Sequence, residues 1–391
     1  MRRLNLLLLT LCGMIFSSSA QVTGSNNNVL RTVEGITIDN YPRVDGSTST
    51  KPLNRLVACK LLGFPYEWRS NIVGEWSVEP LFDDVLFDDI PEYWDLFGER
   101  IKVSQTHESF INLIDNNTDL ILTHRTLSPD EQAHADETGV SLIETSIAID
   151  PFVFIVNKNN PVRTLTVAQV RDIFAGNITN WQQVGGNDAK IRPFVRPRNS
   201  GSQEVMESLV MKDLTMGDFP KVDEIASMAG VFPEVINDAN SISYTFNYYK
   251  ETMVRTPDER VPKIAINGIF PNEKTVMDGT YPFIAEVHVA IRSDLDKNSM
   301  AYRMYEWLQS AEGKAVIAES GYIPTGDGAN SIQAVGETDV RLYPNPVTDG
   351  FYISGLTQPA HLTLIDTSGR RIISRQVAAG EYVSAGHLPK G

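Results

Sequence analysis

Short apolar runs alternate with helical patterns through residues 36–324, and this alternation most constrains the fold. Apolar residues also recur at helical spacing, as at Met304, Trp307 and Leu308. The runs with the length of buried strands are residues 120–122, 152–156 and 286–291. Strands that alternate with helices are typical of α/β proteins, so the sequence predicts an α/β fold for this region.

The size and charge of the chain restrict its function. Its 391 residues are enough for two or three domains. Hydrophobic residues make up 42% and charged residues 21%, which are ordinary values for globular domains. The formal net charge of -15 argues against wrapping nucleic acid or lying on anionic lipid. We therefore predict no nucleic-acid partner.

Residues 1–20 have the pattern of a secretory signal peptide. Two arginines precede an apolar run at 4–16, which is shorter than a membrane span. Ser18, Ser19 and Ala20 then form a small-x-small cleavage site. After cleavage Cys59 would be the one remaining cysteine, so we expect no internal disulfide and a buried structural thiol. The sequence predicts an exported protein in the periplasm, at the cell surface or in the medium.

The composition changes after Thr325. Residues 326–338 are small and polar and are interpreted as a linker, as residues 21–35 are interpreted as a flexible leader. Beyond the linker, turn residues separate short alternating runs, which predict a small all-β module at 339–391. The runs are Leu342 and residues 351–353, 362–365 and 371–373.

Three segments resemble helix N-termini with hydroxyl side chains. They are residues 45–52 (DGSTSTKP), 106–109 (THES, with Thr106 as the expected cap) and 196–203 (RPRNSGSQ). Such ends present unpaired N–H groups and the positive end of the helix dipole, which suits an anion. Ser or Thr before a helix is more often a simple cap than a ligand. The third segment goes beyond capping, because Arg196 and Arg198 stand beside the glycine and serines.

Six segments resemble those of bacterial phosphate-binding periplasmic proteins of ABC transporters. They are 45–49, 172–181 (DIFAGNITNW), 196–202, 241–244 (SISY), 307–314 and 321–324 (GYIP). The matches are in order and cover roughly residues 41–325. The resemblance implies a type II periplasmic-binding fold with a ligand cleft between two α/β lobes. Lobe 1 would comprise about 36–148 and 285–325, and lobe 2 about 149–284.

The resemblance also implies a function and a set of ligand residues. The expected function is capture of a tetrahedral oxyanion, phosphate first, by a monomeric protein that is not an enzyme and holds no metal or cofactor. The expected partner is an ABC permease. The implied ligand residues are Thr48, Ser49 and Thr106 from lobe 1 and Arg196, Ser200, Gly201 and Ser202 from lobe 2.

One position departs from the family pattern. The family commonly ends a strand with Asp-Phe-Gly-Ala-Ser-Asp, whose last carboxylate accepts the proton of hydrogen phosphate. Here the segment is DLILTHR at 119–125, so His124 or Arg125 stands in that place. Arginine cannot accept a proton, whereas a neutral histidine can accept or donate one. We include Arg125 among the predicted ligand residues and leave the choice between phosphate and sulfate open.

The C-terminal region resembles the β-sandwich sorting domain of the type IX secretion system of Bacteroidetes. The resemblance is in LYPNPV at 342–347 and LIDTSGR at 364–370. It implies export by the outer-membrane secretion machinery, followed by cleavage or surface attachment. The sorting domain normally continues beyond a segment like residues 388–391, so we expect a truncated module.

Two other function classes fit parts of the sequence. A cell-surface adhesion or scaffold protein would keep the fold without the ligand, in agreement with the acidic charge and the sorting-like tail. A phosphatase would bind the same anion but needs a metal cluster or an activated nucleophile. The six histidines show no metal-ligand spacing and no Gly-x-Ser-x-Gly elbow is present.

Overall fold

The computed structural model describes residues 33–72, 74–81, 95–221, 228–257 and 259–326 and five short strands beyond them. The predicted signal peptide lies outside the described residues, as do nearly all of the predicted leader and linker. Among the described residues, every helix is too short or too polar to cross a lipid bilayer.

Strands and helices alternate along the described chain, as the sequence predicts. The helices are α1 (Lys51–Leu62), α2 (Thr106–Ile114), α3 (Pro129–Thr138), α4 (Val167–Ala175), α5 (Gly201–Val205), α6 (Val231–Asn237), α7 (Glu273–Met277), α8 (Met300–Gln309) and α9 (Ala311–Glu319). Single helical turns of 3-10 or π type lie at Thr48–Thr50, Asp95–Arg100, Trp181–Val184, Met206–Met211, Met228–Gly230 and Tyr249–Val254. The strands before the C-terminal region are β1 (Val44–Gly46), β2 (Tyr66–Ser70), β3 (Trp76–Pro80), β4 (Leu120–Thr123), β5 (Leu142–Val156), β6 (Thr164–Leu165), β7 (Arg192–Pro193), β8 (Ser241–Phe246), β9 (Ala265–Ile266), β10 (Ile284–Arg292) and β11 (Ile323–Pro324).

A mixed sheet of seven described strands forms the centre of the molecule, in the order β1-β4-β10-β5-β8-β7 with β11 against β5. Strand β5 is 15 residues long. Its first part, from Leu142 to Pro151, pairs with β10, and its remainder, from Phe152 to Val156, pairs with β8. One strand therefore belongs to both halves of the sheet. The lobe boundaries drawn from the sequence stay predictions.

The apolar core extends over both halves of the sheet. Helix α1 buries one face on it through Leu53, Leu56 and Val57. Aromatic rings fill the other half, where Phe152 packs edge-on against Phe246 at 5.4 Å between ring centres. Stacked layers of this kind bury the large apolar area that a domain without disulfides needs.

Cys59 is fully buried in this core. Burial raises the pKa of its thiol to about 12, so the group stays protonated and unreactive at neutral pH. This result confirms the predicted buried structural thiol.

The C-terminal region contains strands at every run predicted there. They are β12 (Arg341–Tyr343), β13 (Gly350–Ser354), β14 (Ala360–Ile365), β15 (Arg371–Val377) and β16 (Tyr382–Ser384). Strands β12, β13 and β16 form one small antiparallel sheet, and β14 pairs with β15 in another. Their packing into a sandwich stays a prediction.

Gly46 ends β1 where the chain passes very close to β4. A Cβ atom there would lie 2.5 Å from the Leu122 carbonyl oxygen and 2.7 Å from Thr50 Oγ1. The Leu122 oxygen already accepts hydrogen bonds from the Ser47 N–H at 3.1 Å and the Thr50 hydroxyl at 2.8 Å. Glycine is therefore required at the point where the strand turns into the next segment.

We expect Gly46→Ala to lower the free energy of unfolding by about 1–3 kcal/mol, because backbone atoms cannot move aside as a side chain can. Urea denaturation would measure this loss. Gly98→Ala is the matched control, since a Cβ atom there meets no atom within 4 Å. Equal stability of the two variants would contradict the close approach of β1 and β4.

Candidate functional site

One narrow cavity is lined by seven of the eight predicted ligand residues. Its walls are Ser47, Thr48, Ser49, Gln105, Thr106, Arg196, Ser200, Gly201, Ser202, Met228 and Phe246. The walls come close together, since a Cβ atom on Gly201 would overlap the Thr106 hydroxyl. The cavity therefore brings together three chain segments that lie far apart in the sequence.

The first wall is the 3-10 turn Thr48–Thr50, which leads directly into α1. Pro52 stands in the first turn of α1, where a missing N–H costs nothing. No side-chain hydrogen bond caps the turn at Ser47 or the helix at Thr50. The N–H groups of the turn are thus not covered by a capping side chain.

The second wall is the start of α2, where the predicted cap residue was wrong. Thr106 is not the cap but the first helical residue, and Gln105 occupies the cap position with a φ of 69°. A positive φ is uncommon for a residue with a side chain and marks a constrained backbone. Thr106 is 3% exposed, so its hydroxyl is confined to the interior.

The third wall is the start of α5, which continues into the π-helical turn Met206–Met211. Ser200 caps it by accepting a hydrogen bond from the Gln203 N–H at 3.3 Å. The Gln203 side chain does not return the bond to Ser200, because its Oε1 accepts from the Arg196 N–H and from the Tyr244 hydroxyl. The buried Ser202 hydroxyl has no hydrogen-bond partner within the described structure.

Arg196 supplies the positive charge of the cavity. The residue is 6% exposed, and its backbone N–H donates to the Tyr244 hydroxyl at 3.0 Å. Burial lowers the pKa of its guanidinium, as expected for a cation removed from water. An anion bound beside it would offset the cost of burying that charge.

Arg125 does not line the cavity, contrary to the prediction. Its two terminal nitrogens donate to the two carboxylate oxygens of Glu131, each at 2.7 Å, and its guanidinium lies 5.2 Å from the centre of the Phe110 ring. Glu131 also accepts from the Ser128 N–H at the start of α3. This bidentate pair fixes Arg125 as a structural residue between α2 and α3.

The same carboxylate belongs to a group that the sequence did not reveal. His107, Asp130 and Glu131 place possible metal-ligand atoms within 4.8 Å of one another. Both Glu131 oxygens already accept hydrogen bonds from Arg125, and His107 Nδ1 lies 3.0 Å from one of them. The arrangement is explained as an ion-pair network.

His124, not Arg125, is connected to the cavity. Its ring stacks on Phe246 at 4.1 Å, and its Nδ1 lies 2.8 Å from Ser49 Oγ. Its Nε2 faces the Asp150 carboxylate at 3.4 Å and the Tyr322 hydroxyl at 3.3 Å. Asp150 and Tyr322 could not be assigned to the site from the sequence, because nothing in the local pattern connects them to His124.

The chain is similar to several known proteins in sequence and in fold. Residues 31–312 match a family model described as a PBP superfamily domain. The phosphate-binding protein PstS of Bacillus subtilis is 26% identical over 190 residues, which is 48% of this chain and 59% of that protein. PstS of Staphylococcus epidermidis is 23% identical over 259 residues, which is 64% of this chain and 77% of that protein.

A solved structure is similar as well. It is a Clostridium perfringens protein with bound phosphate, described as a phosphate ABC transporter substrate-binding protein. The TM-score is 0.51 at 21% identity, with 72% of this chain and 98% of that chain covered. A likeness at this level of identity supports a shared fold.

Proposed function

The chain belongs to the PBP superfamily, and on this premise we propose that it is an exported solute-binding protein that captures a tetrahedral oxyanion, with phosphate as the favoured ligand. The α/β fold of the type II periplasmic-binding class, expected from the sequence, is confirmed by the superfamily match and the Clostridium perfringens structure. The observation that carries the proposal is the convergence of Arg196 and three hydroxyl-rich segments on one cavity.

The chemistry of the cavity supports an oxyanion more than a neutral ligand. Arginine and hydroxyl groups are donors, and charge-assisted hydrogen bonds are the stronger ones. Ser202 adds a specific argument, because a buried hydroxyl without a partner costs about 1–3 kcal/mol. An anion oxygen at this position would satisfy that donor.

Phosphate is the favoured ligand because the relatives are named as phosphate-binding proteins. Both curated relatives described above are phosphate-binding proteins, although the chain spans only 59% of the length of the first. The solved relative is described as part of a phosphate ABC transporter, so we propose an ABC permease as the protein partner. A monomeric state, export by the type IX machinery and the binding roles of the individual cavity residues are part of the same proposal. A binding role without catalysis also agrees with the names of these relatives.

Calorimetric titration of the mature protein, freed of ligand by unfolding and refolding, tests the function. We expect one-to-one binding of phosphate at neutral pH, because a single cavity holds the proposed ligand groups. A parallel titration with sulfate measures selectivity. Absence of binding of both anions would contradict the proposal and favour the adhesion or scaffold function.

A further inference from the structure

Ser49, His124 and Asp150 form a continuous buried chain of hydrogen-bonding groups that ends at the cavity. Ser49 lines the cavity, and all three residues are at most 2% exposed. Ser49 Oγ lies 2.8 Å from His124 Nδ1, and His124 Nε2 lies 3.4 Å from Asp150 Oδ2. We call these residues the Ser49 relay. His124 does not itself line the cavity, so any effect it has on a ligand passes through Ser49.

The surroundings of His124 determine which ring nitrogen carries a proton. Nε2 faces the Asp150 carboxylate and the oxygen of Tyr322. The Tyr322 hydroxyl gives its own proton to the Ser49 carbonyl at 2.9 Å, so toward the ring it is an acceptor. Burial raises the pKa of Asp150, whereas its hydrogen bonds to His124 and to the Tyr248 N–H lower it. While the carboxylate is ionised, both groups on that side are acceptors and Nε2 is the donor. In a neutral imidazole the other nitrogen, Nδ1, is then an acceptor.

The tautomer of His124 in turn sets the direction of the Ser49 hydroxyl. Ser49 has one proton, and an accepting Nδ1 at 2.8 Å takes it. Ser47 Oγ is the more distant acceptor, at 3.2 Å from Ser49 Oγ, and its own hydroxyl can donate to Ser49 instead. The Ser49 oxygen is left with lone pairs and no proton for a bound ligand.

We propose that the Ser49 relay makes the cavity selective for an oxyanion that carries a proton, such as hydrogen phosphate, over one that carries none, such as sulfate. This inference rests on the proposed function. Ser49 Oγ accepts the proton of the ligand, and His124 and Asp150 are positioning residues that keep the oxygen an acceptor. A neutral hydroxyl oxygen thus accepts the ligand proton in place of the carboxylate that the family pattern has, and it places no negative charge beside the anion.

Asp150→Asn is the decisive variant because asparagine has the same shape as aspartate but can donate a hydrogen bond to His124, where the carboxylate accepts one. Asp150 Oδ1 accepts the Tyr248 N–H at 3.0 Å, so an asparagine would keep its oxygen there and turn its NH₂ group to His124. Nε2 would then become the acceptor and Nδ1 the donor. The Ser49 proton, freed from His124, would point to the ligand and favour sulfate.

We expect the ratio of sulfate to phosphate dissociation constants to fall at least about tenfold in Asp150→Asn, the effect of one hydrogen bond. Calorimetry at about pH 8 compares two dianions, so the change of charge at position 150 affects both alike. Asp136→Asn, at an exposed position of α3, is the matched control and should leave the ratio unchanged. Ser49→Ala gives a second test, since it should weaken phosphate binding more than sulfate binding.

Nitrogen-15 NMR of the His124 imidazole tests the relay without any ligand. We expect the proton on Nε2 in the natural protein and on Nδ1 in Asp150→Asn. An unchanged tautomer, or an unchanged anion ratio in both variants, would overturn the relay while leaving phosphate binding intact. The natural protein could instead hydrolyse a phosphomonoester, and Asp150→Asn could abolish that activity. This result would also overturn the relay, because His124 and Asp150 would then activate Ser49 as a nucleophile. Failure of the natural protein to bind either anion would instead contradict the proposed function.

Discussion

Arg196→Ala is expected to weaken phosphate binding at least about a hundredfold. The substitution removes the positive charge that lines the cavity and a guanidinium that can donate two parallel hydrogen bonds to one anion. Hydrogen bonds to charged groups contribute about 1.5–3 kcal/mol each, and two of them account for a hundredfold change. Titration calorimetry of the variant against phosphate measures the effect.

Two further variants separate charge from geometry. Arg196→Lys keeps the charge without the planar fork, so its affinity should fall between those of the natural protein and the alanine variant. Arg198→Ala is the matched control, because Arg198 is exposed and absent from the lining of the cavity. The hydrogen bonds to Tyr244 and Gln203 should persist in Arg196→Ala, since they come from the backbone N–H, and circular dichroism would check that the variant is folded. Equal losses in the two alanine variants would contradict the assignment of Arg196 to the site.

Glu131→Gln is expected to lower the free energy of unfolding by about 3–5 kcal/mol. Glu131 is fully buried and accepts both terminal nitrogens of Arg125, so the variant leaves a buried cation without its anion. The Phe110 ring at 5.2 Å from the guanidinium cannot replace a carboxylate. Urea denaturation followed by circular dichroism measures the loss.

The double replacement Arg125→Met with Glu131→Leu tests the same ion pair by replacing both charged residues with apolar ones. Removing both charges should recover much of the stability, because no buried charge is then left unpaired. The double variant should also bind phosphate as the natural protein does, since neither residue lines the cavity. A loss of phosphate affinity in the double variant would indicate that Arg125 contributes to ligand binding, as the sequence predicted.

The parts of the structure that depend on local pattern could be predicted from the sequence. Strand β4 and helix α8 follow from apolar spacing within a few residues. Hydroxyl residues mark all three helix starts within a single segment each, although of these three starts only the one at Ser200 has a side-chain cap. Their meeting in one cavity was expected from the resemblance to a family and not from spacing.

The partners of the residues at positions 124 and 125 could not be predicted in the same way. Arg125 pairs with Glu131, which the sequence places inside the segment Ser128-Pro129-Asp130-Glu131 at the start of α3, so a signal existed but was compatible with a simple cap. Asp150 and Tyr322 meet His124 only because β10 joins β4 to β5 in one sheet and β11, which follows Tyr322, pairs with β5. Contacts of this kind depend on the pairing of distant strands, for which one sequence carries no local signal.

Strand β5 has a consequence for how the molecule could be divided. Its first ten residues pair with β10 and its last five with β8, without a break in the chain. We expect neither half of the sheet to be stable as a separate module, because a cut at the junction divides the strand to which both halves pair. The two halves therefore share one structural element as well as the cavity lined by Ser49 and Arg196, and a substitution in the middle of β5 would affect both.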